Sequence, residues 1–165
     1  MREEDNKALG IGYKVEEDNL YMLTSINFSK RKKKMRVGND LLLEQVRSET
    51  SNPLSRREPL SQVAGLYDPI GLVTPVKQKG TILVRKAFQE TWGGKLTRET
   101  WDRPLSESLR EEAIQLFEDY AQLGKIQFQR SITPDGWRGK PCGVIFSNGS
   151  ERTDGAVMYL RWKRD

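Results

Sequence analysis

Apolar and polar positions alternate in two short stretches near the N-terminus of the chain. These stretches cover residues 8–15 and 19–26, and the three acidic residues Glu16, Glu17 and Asp18 separate them. Alternation with a period of two is typical of a half-buried strand, and a short polar break between two such stretches predicts a β-hairpin. A polar, weakly patterned segment follows to about Arg57, with a brief turn at residues 41–43, and we predict that this segment is mobile.

Helical spacing of apolar residues begins after this segment. A first helix is predicted from near Ser55, with Pro59 in its first turn, where a missing backbone N–H is tolerated. Its expected buried face follows the i, i+3, i+4, i+7 pattern and consists of Leu60, Val63, Ala64 and Tyr67. The sequence Asp68-Pro69-Ile70-Gly71 is expected to end this helix.

Two longer helices are predicted next. One runs from Pro75 to Trp92 and ends at Gly93-Gly94. The other runs from about Ser106, its cap, to Leu123, with Gly124 as its stop. Their apolar faces consist of Val76, Leu83, Val84 and Ala87 in the first, and of Leu109, Ala113, Leu116, Phe117 and Tyr120 in the second. We expect Trp92 and Trp101 to pack against the helices rather than to stack on bases.

The C-terminal part of the chain returns to extended structure. Residues 125–132 are predicted to be extended, Pro134-Asp135-Gly136 is a turn sequence, and two apolar strands are predicted at 143–147 and 155–162, with a turn at 148–150. A two-stranded hairpin is marginally stable by itself, so we expect these strands to open a larger sheet whose remainder is absent. The helical and extended segments together predict an α+β fold.

Positive charge is concentrated in one run. The net charge is +5, and six cations fall within seven consecutive positions: Lys30, Arg31, Lys32, Lys33, Lys34 and Arg36. Such a density of cations suits the phosphates of a nucleic acid, because each neutralised phosphate releases condensed counterions. A solvated loop or a nuclear-import patch explains the same run without a nucleic acid. Weaker candidates for phosphate contacts are Lys77, Lys79, Arg85 and Lys86, on the face of a predicted helix.

The cysteine and histidine content narrows the possible chemistry. Cys142 is the single cysteine, so no internal disulfide can form, and we expect a cytoplasmic or nuclear protein rather than a secreted one. Cys142 is expected to begin a strand as a small apolar residue. The chain has no histidine, which excludes His-based triads and His-ligated zinc within it. No apolar stretch approaches membrane-spanning length, so we expect no membrane contact.

One stretch of the sequence carries a specific resemblance. Residues 60–75, LSQVAGLYDPIGLVTP, resemble the "LSQ…DPLGL…P" signature of Bel/Pao-type retrotransposon polyproteins. Residues 79–92 resemble the "K…LL…W" helix of that family, residues 143–151 resemble its "FSDGSE" segment, and residues 8–14 resemble its "LGL.W" strand, which follows the polymerase palm. The same family is also catalogued as a retrotransposon peptidase.

The resemblance implies a place for each part of the chain. Residues 1–28 would be a hairpin at the end of the palm, residues 29–54 a basic, mobile linker, residues 55–132 a helical thumb- or connection-like region, and residues 136–165 truncated N-terminal strands of an RNase H-like domain. The implied partners are an RNA/DNA hybrid or duplex, contacted through phosphates, and the remaining domains of the polyprotein. The parent polyprotein would be a reverse transcriptase with RNase H, whose polymerase aspartates would precede Met1.

The resemblance also implies that catalytic residues are missing. RNase H cleavage uses two metal ions about 4 Å apart, held by several carboxylates. The family pattern places its first aspartate where this chain has Asn148, which lacks the negative charge. Asp154 matches no catalytic position and is interpreted as a turn residue, and further carboxylates would fall beyond Asp165. We therefore expect no metal site or cofactor in this chain, and Mg²⁺ only in an intact parent enzyme.

Three hypotheses remain for the function. The first is a nucleic-acid-contacting fragment of a retrotransposon polyprotein, without a complete catalytic site. The second is an aspartic-type peptidase, as the catalogued family label suggests; such enzymes use Asp-Thr-Gly or Asp-Ser-Gly loops, and the nearest sequence in this chain is Asp154-Gly155-Ala156. The third is a decayed remnant without activity.

Overall fold

Helices and strands both contribute to the fold, which confirms the α+β class. The computed structural model describes residues 6–29, 31–32, 35–36, 38–90, 98–151 and 153–162. The chain divides into two compact units, Met1–Phe128 and Gln129–Asp165. In chain order, the elements are β1 (Asn6–Ala8), β2 (Ile11–Lys14), β3 (Asn19–Met22), β4 (Arg31–Lys32), β5 (Met35–Arg36), α1 (Leu43–Glu49), α2 (Arg57–Gly65), α3 (Thr74–Glu90), α4 (Arg98–Trp101), α5 (Glu107–Leu123), β6 (Gln127–Gln129), β7 (Cys142–Gly149) and β8 (Asp154–Arg161).

The N-terminal sheet has the strand order β1-β2-β3-β6. β2 and β3 form the predicted antiparallel hairpin, with Tyr13 opposite Leu20. The Tyr13 hydroxyl donates a hydrogen bond of 2.7 Å to Asp18 Oδ1 across the connecting turn. β3 ends at Met22, four residues before the predicted end of the strand, and Met22 and Ile26 both enter the core.

The predicted single strand over residues 8–15 is wrong, because the chain reverses within it. Ala8 pairs with Ile11, so Leu9 and Gly10 form a two-residue turn between β1 and β2. Their φ angles are 51° and 83°, as a type I′ hairpin turn requires, and leucine is uncommon in that region. A Cβ on Gly10 would lie 2.6 Å from the carbonyl oxygen of Tyr67, so this turn also needs glycine for close packing.

The structure differs from the predicted mobile linker over residues 41–54. This part of the chain contains α1, and Val46 and Leu54 are fully buried. The guanidinium of Arg110, on α5, donates hydrogen bonds to the backbone carbonyls of Thr50 and Ser51 at 3.4 and 3.1 Å. α1 buries a single apolar residue, so it has no apolar periodicity that the sequence pattern could reveal.

α2 is shorter than predicted and buries a different face. Ala64 and Tyr67, which we expected in the core, are exposed. The residues buried in and directly after this helix are Pro59, Gln62, Val63 and Leu66. A buried glutamine replaces an apolar residue on this face, and apolar periodicity cannot identify such a position.

α5 agrees closely with the sequence prediction. The hydroxyl of Ser106 accepts a hydrogen bond of 3.3 Å from the Leu109 N–H, and Gly124 occupies the C-cap position. All five residues of its predicted apolar face are buried, together with Ile114 and Leu123. A polar cap, a regular apolar stripe and a terminal glycine all indicate the same boundaries here, which explains the agreement.

α3 also matches its prediction over the described residues. Leu83 and Ala87 are buried, whereas Val76 and Val84 are half-buried. The predicted end of this helix, from Trp92 to Gly94, lies outside the described residues.

The core of the first unit joins α1, α2, α3 and α5 to the last residues of β3. Its buried apolar side chains are Met22, Ile26, Val46, Leu54, Val63, Leu66, Val73, Leu83, Ala87, Leu105, Leu109, Ala113, Leu116, Phe117, Tyr120 and Leu123. Phe28 packs edge-on against Phe117, with ring centroids 5.5 Å apart. Burial of this apolar surface provides the main stabilisation of the unit.

The second unit contains the antiparallel hairpin of β7 and β8. The two predicted strands are confirmed, and Cys142 begins β7 as expected, although its side chain is exposed. The predicted turn at 148–150 is wrong: Asn148 and Gly149 belong to β7, and the strands are connected beyond Gly149, where the Ser150 N–H donates to the Thr153 carbonyl at 2.9 Å.

Candidate nucleic-acid interface

The basic run coincides with the short antiparallel pair β4–β5. The Cα atom of Arg31 lies opposite that of Arg36, and Lys32 lies opposite Met35. Opposed Cα atoms in such a pair are about 4.5–5.5 Å apart. The pairing therefore brings the backbone of Arg31 close to that of Arg36. Lys30, Lys33 and Lys34 lie outside the described residues.

The base of this basic hairpin is attached to the core by a set of hydrogen bonds around Asn27. The Asn27 side-chain amide donates to the Gly38 carbonyl at 2.7 Å and to Asp40 Oδ1 at 3.2 Å, and its carbonyl oxygen accepts from the Ser29 N–H at 2.9 Å. The Gly38 N–H donates to the Ser29 hydroxyl at 3.0 Å. Since Asn27 is buried, the two ends of the basic hairpin are held at a fixed place on the first unit.

Two of the weaker phosphate-binding candidates on α3 form ion pairs with α5. Lys79 Nζ lies 3.2 Å from Asp119 Oδ2, and Lys86 Nζ lies 2.7 Å from Glu112 Oε2. A phosphate would have to compete with these carboxylates. Lys77 is half-buried and Arg85 is exposed on the same helix.

A further cluster of arginines and aromatic rings lies where α2 begins and α3 ends, and the sequence patterns did not reveal it. The Arg56 guanidinium carbon is 5.5 Å from the centroid of the Phe88 ring, which packs edge-on against Trp101 at 5.3 Å. The Arg57 guanidinium carbon is 5.9 Å from the Trp101 ring. These contacts confirm the packing role predicted for Trp101. Their partners are far apart in sequence, so no local pattern links them.

The two arginines of this cluster differ in their electrostatic surroundings. Hydrogen bonds to Asp102, at 2.9 and 3.4 Å, raise the pKa of Arg57. Burial lowers the pKa of Arg56, the positive charge of Arg103 lowers it further, and Glu90 partly opposes both effects. Arg56 is 3% exposed. Arg57 is thus paired with a carboxylate, whereas Arg56 is poorly solvated and lies near the positive charge of Arg103.

The signature stretch contains two polar residues with structural roles. The buried Gln62 side chain donates to the Asn27 carbonyl at 2.9 Å and accepts from the Asn27 N–H at 3.4 Å, as a neighbouring strand would. The Asp68 carboxylate accepts from the N–H groups of Leu72 and Val73 at 2.9 and 3.0 Å, at the start of α3. Both side chains satisfy backbone groups, which accounts for polar residues in an otherwise apolar stretch.

In the second unit, Asn148 and Asp154 lie on opposite faces of the hairpin. Asn148 pairs with Gly155, whereas Asp154 pairs with Gly149, and directly opposed residues share a face of an antiparallel pair. A Cβ on Gly149 would lie 2.6 Å from Asp154 Oδ1, which places this carboxylate above Gly149. Asp154 therefore belongs to β8 rather than to the turn, which corrects the sequence interpretation.

The comparison with known families decides which group of proteins the chain resembles. A family model described as the Pao retrotransposon-like RNaseH-like domain matches residues 55–165. The chain belongs to this family. No curated protein and no solved structure matches it. The recognition of a Bel/Pao-type retrotransposon sequence is therefore confirmed, and the matched region includes the helices from α2 onwards as well as the β7–β8 hairpin.

Two residues of the β7–β8 hairpin of this Pao family member bear on a metal site of the RNase H type. Such a site needs several carboxylates at one edge of a sheet. Asn148 is an uncharged amide, and Asp154 projects from the other face of the hairpin. Within the described ranges, no group of three or more His, Cys, Asp or Glu residues is arranged to hold a metal ion.

Among the residues that the structure describes, none of the helices combines the length and the apolar character needed to span a membrane.

Proposed function

We propose that this chain is a nucleic-acid-contacting part of a retrotransposon polyprotein, from the region of reverse transcriptase and RNase H, and that it lacks a complete catalytic site by itself. Its main contacts are with phosphates, through Lys30, Arg31, Lys32, Lys33, Lys34 and Arg36. The observation that carries the proposal is the position of Arg31, Lys32 and Arg36, three members of this run, on paired strands whose base is attached to the core, in a chain of the Pao RNaseH-like family.

The attached base matters for binding because it reduces the entropy that the basic hairpin loses when it meets a ligand. A disordered basic tail would lose more conformational freedom for the same ionic contacts. The run also places six cations within seven consecutive positions, and such a density of charge favours a polyanion over a single carboxylate. An RNA/DNA hybrid or another duplex presents such a row of phosphates.

The hairpin of the second unit supports the proposed lack of catalysis. By its resemblance to the family's "FSDGSE" segment, Asn148 takes the place of the family's first aspartate, and Asp154 lies on the other face of the hairpin. Mg²⁺ chemistry then requires carboxylates from other parts of the polyprotein. The remaining polyprotein domains are the proposed protein partners, and the cytoplasm or the nucleus is the proposed location.

The salt dependence of binding to a labelled RNA/DNA hybrid tests the proposed phosphate contacts. If four cations of the run each neutralise a phosphate, log Kobs should fall with log[salt] with a slope of about −3 to −4. Replacing residues 30–34 by Gln should flatten this slope. The matched control is Lys79→Gln with Lys86→Gln, which removes two ion-paired cations and should change the slope much less.

Two results would contradict the proposal. Binding that does not depend on salt would exclude phosphate contacts as its main source. Pepstatin-sensitive cleavage of a polyprotein peptide by the purified chain at acid pH would instead favour the aspartic-type peptidase, for which the sequence contains no Asp-Thr-Gly or Asp-Ser-Gly loop.

A further inference from the structure

One asparagine of the chain, Asn148, is followed directly by a glycine, Gly149, whereas every other asparagine precedes a residue with a side chain. In an Asn-Gly pair, the backbone nitrogen of the glycine can attack the side-chain carbonyl carbon of the asparagine and close a succinimide ring. The attack is easiest at glycine, because no Cβ hinders the approach and the backbone adopts conformations that other residues avoid. It also needs water at the asparagine and a backbone that can move.

Water reaches Asn148 directly. This residue is exposed near the end of the β7–β8 hairpin. An open depression of about 590 Å³ is lined there by Ser147, Asn148, Gly149, Asp154, Gly155 and Ala156. By contrast, Asn27 is buried, and its side-chain amide donates hydrogen bonds to Gly38 and Asp40. The asparagine that is followed by glycine is therefore also an accessible one.

The Gly149 N–H, which supplies the attacking nitrogen, points away from β8. The Ser150 N–H donates to the Thr153 carbonyl at 2.9 Å, so these two opposed residues form a hydrogen-bonded pair. Opposed residues of an antiparallel ladder alternate between hydrogen-bonded and non-hydrogen-bonded pairs. The next pair, Gly149 with Asp154, is therefore non-hydrogen-bonded, and its N–H groups face outwards. Within the described part of the chain, β7 pairs with no strand other than β8, so the ladder does not hold the Gly149 nitrogen.

The attack requires the backbone at Asn148 to rotate out of its strand conformation, and this end of the hairpin resists such a rotation weakly. The opposed pairs Asn148–Gly155 and Gly149–Asp154 each contain a glycine, so neither provides a contact between two side chains. The connection between the strands follows directly after Gly149. The end of a two-stranded hairpin opens readily, because few contacts must break.

We propose that Asn148 is a site of spontaneous deamidation, with water as the co-reactant. The Gly149 nitrogen gives up its proton and bonds to Cγ of Asn148, the bond between Cγ and Nδ2 breaks, and Nδ2 leaves as ammonia with that proton. Water then opens the succinimide ring. Addition of water at Cγ gives aspartate, whereas addition at the main-chain carbonyl carbon gives isoaspartate, in which the chain continues through the side chain. Neither step depends on contact with a nucleic acid.

Deamidation changes the hairpin in two ways. Both products carry a carboxylate at position 148, where the newly made chain has a neutral amide. Isoaspartate also adds a methylene to the main chain, which disrupts the pairing of Asn148 with Gly155 and the alternation of side chains between the two faces. An aged chain therefore differs from a newly made one in charge and in strand pairing.

Incubation of the full chain at mildly alkaline pH, followed by digestion at acid pH and mass spectrometry, tests the proposal. Peptides that contain Asn148 should exchange their amide for a carboxyl group at least about tenfold faster than those with Asn19 or Asn27, which corresponds to an activation free energy lower by about 1.4 kcal/mol or more. The Asn19 amide donates to Gln127 at 2.8 Å, so both reference amides are held by hydrogen bonds. Chromatography should separate two products of equal mass, aspartate and isoaspartate.

Gly149→Ala is the decisive variant, because it keeps Asn148 and adds a Cβ to the attacking residue. That Cβ would lie 2.6 Å from Asp154 Oδ1, the far end of a flexible side chain, so the strand can accommodate it. The variant should deamidate about tenfold more slowly than the wild type. Gly143→Ala is the matched control in the same strand, where a Cβ would meet Met158 Sδ at 3.8 Å, and it should leave the rate unchanged.

Several results would overturn the proposal. A rate at Asn148 equal to the rates at Asn19 and Asn27 would show that the strand protects the residue. An equal slowing in Gly143→Ala and Gly149→Ala would show a general effect on the strand, and aspartate as the sole product would mean direct hydrolysis by water. If Gly149→Ala does not fold, Asn148→Gln replaces it: its longer side chain does not close the succinimide ring, so a retained gain of the carboxyl mass would contradict the attack by Gly149.

Discussion

At the scale of single residues, Asp68 connects the family signature to the stability of the fold. Its two carboxylate oxygens accept hydrogen bonds from the N–H groups of Leu72 and Val73, the two residues that directly precede α3. The negative charge also lies beside the positive end of the helix dipole. Gly71, with φ of 81°, allows the tight return of the chain that brings Asp68 to this position.

Replacement of Asp68 by Ala should therefore lower the free energy of unfolding by about 1–2 kcal/mol, because two backbone donors lose their acceptor. Asp68→Asn keeps one side-chain acceptor and should lower it less. Urea unfolding followed by circular dichroism measures both. Equal stability of Asp68→Ala and the wild type would mean that the hydrogen bonds of Asp68 do not contribute to the fold.

Tyr120 is a second residue whose surroundings have a measurable consequence. Its ring is buried, its hydroxyl has no hydrogen-bond partner within the described part of the chain, and burial raises its pKa to about 12. An unfolded tyrosine ionises with a pKa of about 10. Above pH 10, the unfolded chain therefore binds fewer protons at this residue than the folded chain does, and the folded state loses stability as the pH rises.

Tyr120→Phe should remove this part of the pH dependence. The difference in unfolding free energy between wild type and variant should be constant below pH 9. By pH 11 the wild type should have lost about 1 kcal/mol of stability relative to the variant. At pH 7 the variant should be as stable as the wild type or more stable, since it lacks a buried hydroxyl without a partner. Parallel pH dependences of the two proteins would show that Tyr120 ionises normally.

At the scale of elements, the contact between α3 and α5 depends on Gly80. A Cβ on Gly80 would clash with the Tyr120 hydroxyl and would lie 2.8 Å from Cγ2 of Val63. The absence of a side chain at this position therefore lets three elements, α2, α3 and α5, approach one another. A glycine inside a long helix is otherwise unfavourable by about 1 kcal/mol relative to alanine.

Gly80→Ala should destabilise the first unit by about 1–3 kcal/mol through overpacking, despite its better helix propensity. Gly65→Ala is the matched control, because Gly65 ends α2 and a Cβ there would meet no atom within 4 Å. The control should be neutral or slightly stabilising. Combining Gly80→Ala with Tyr120→Phe should recover part of the loss, and strict additivity of the two changes would argue against their contact.

How far the sequence predicted these elements depended on how many independent signals agreed. For α5, the cap, the apolar stripe and the terminal glycine coincide. α1 has one buried apolar residue and is held by tertiary contacts, such as that of Arg47 with Glu111 at 2.7 Å, which no local pattern contains. The sequence did not predict the turn at Leu9-Gly10, because leucine rarely adopts the positive φ angle that this turn requires.

The candidate sites also differ in how far the sequence alone could predict them. The cations of the basic run are near neighbours along the chain, so the sequence alone identified the run, but its attachment through Asn27 depends on contacts with Gly38 and Asp40. The environment of Arg56 depends on Phe88 and Arg103, which come from distant parts of the chain. Sequence patterns find charges that are neighbours along the chain, whereas a buried charge becomes visible only when the fold is known.

At the scale of the whole molecule, the two units differ in how they bury apolar side chains. The first unit has a shared core of helices and strands. In the second unit, four large apolar side chains are each more than half exposed. They are Ile145 and Met158 on one face of the hairpin, and Phe146 and Tyr159 on the other. The rings of Phe146 and Tyr159 contact each other edge-on, with centroids 5.9 Å apart. One such contact stabilises a fold far less than a shared apolar core does.

This difference predicts that the second unit opens far more easily than the first. Backbone amides of β7 and β8 should exchange with solvent deuterium at least tenfold faster than those of residues 113–120 in α5, because a two-stranded hairpin has few contacts that must break. Hydrogen exchange followed by mass spectrometry compares the two regions in the same sample. Equally slow exchange in both regions would mean that the exposed apolar faces are covered in solution, and dependence of that protection on protein concentration would identify the cover as a second copy of the chain.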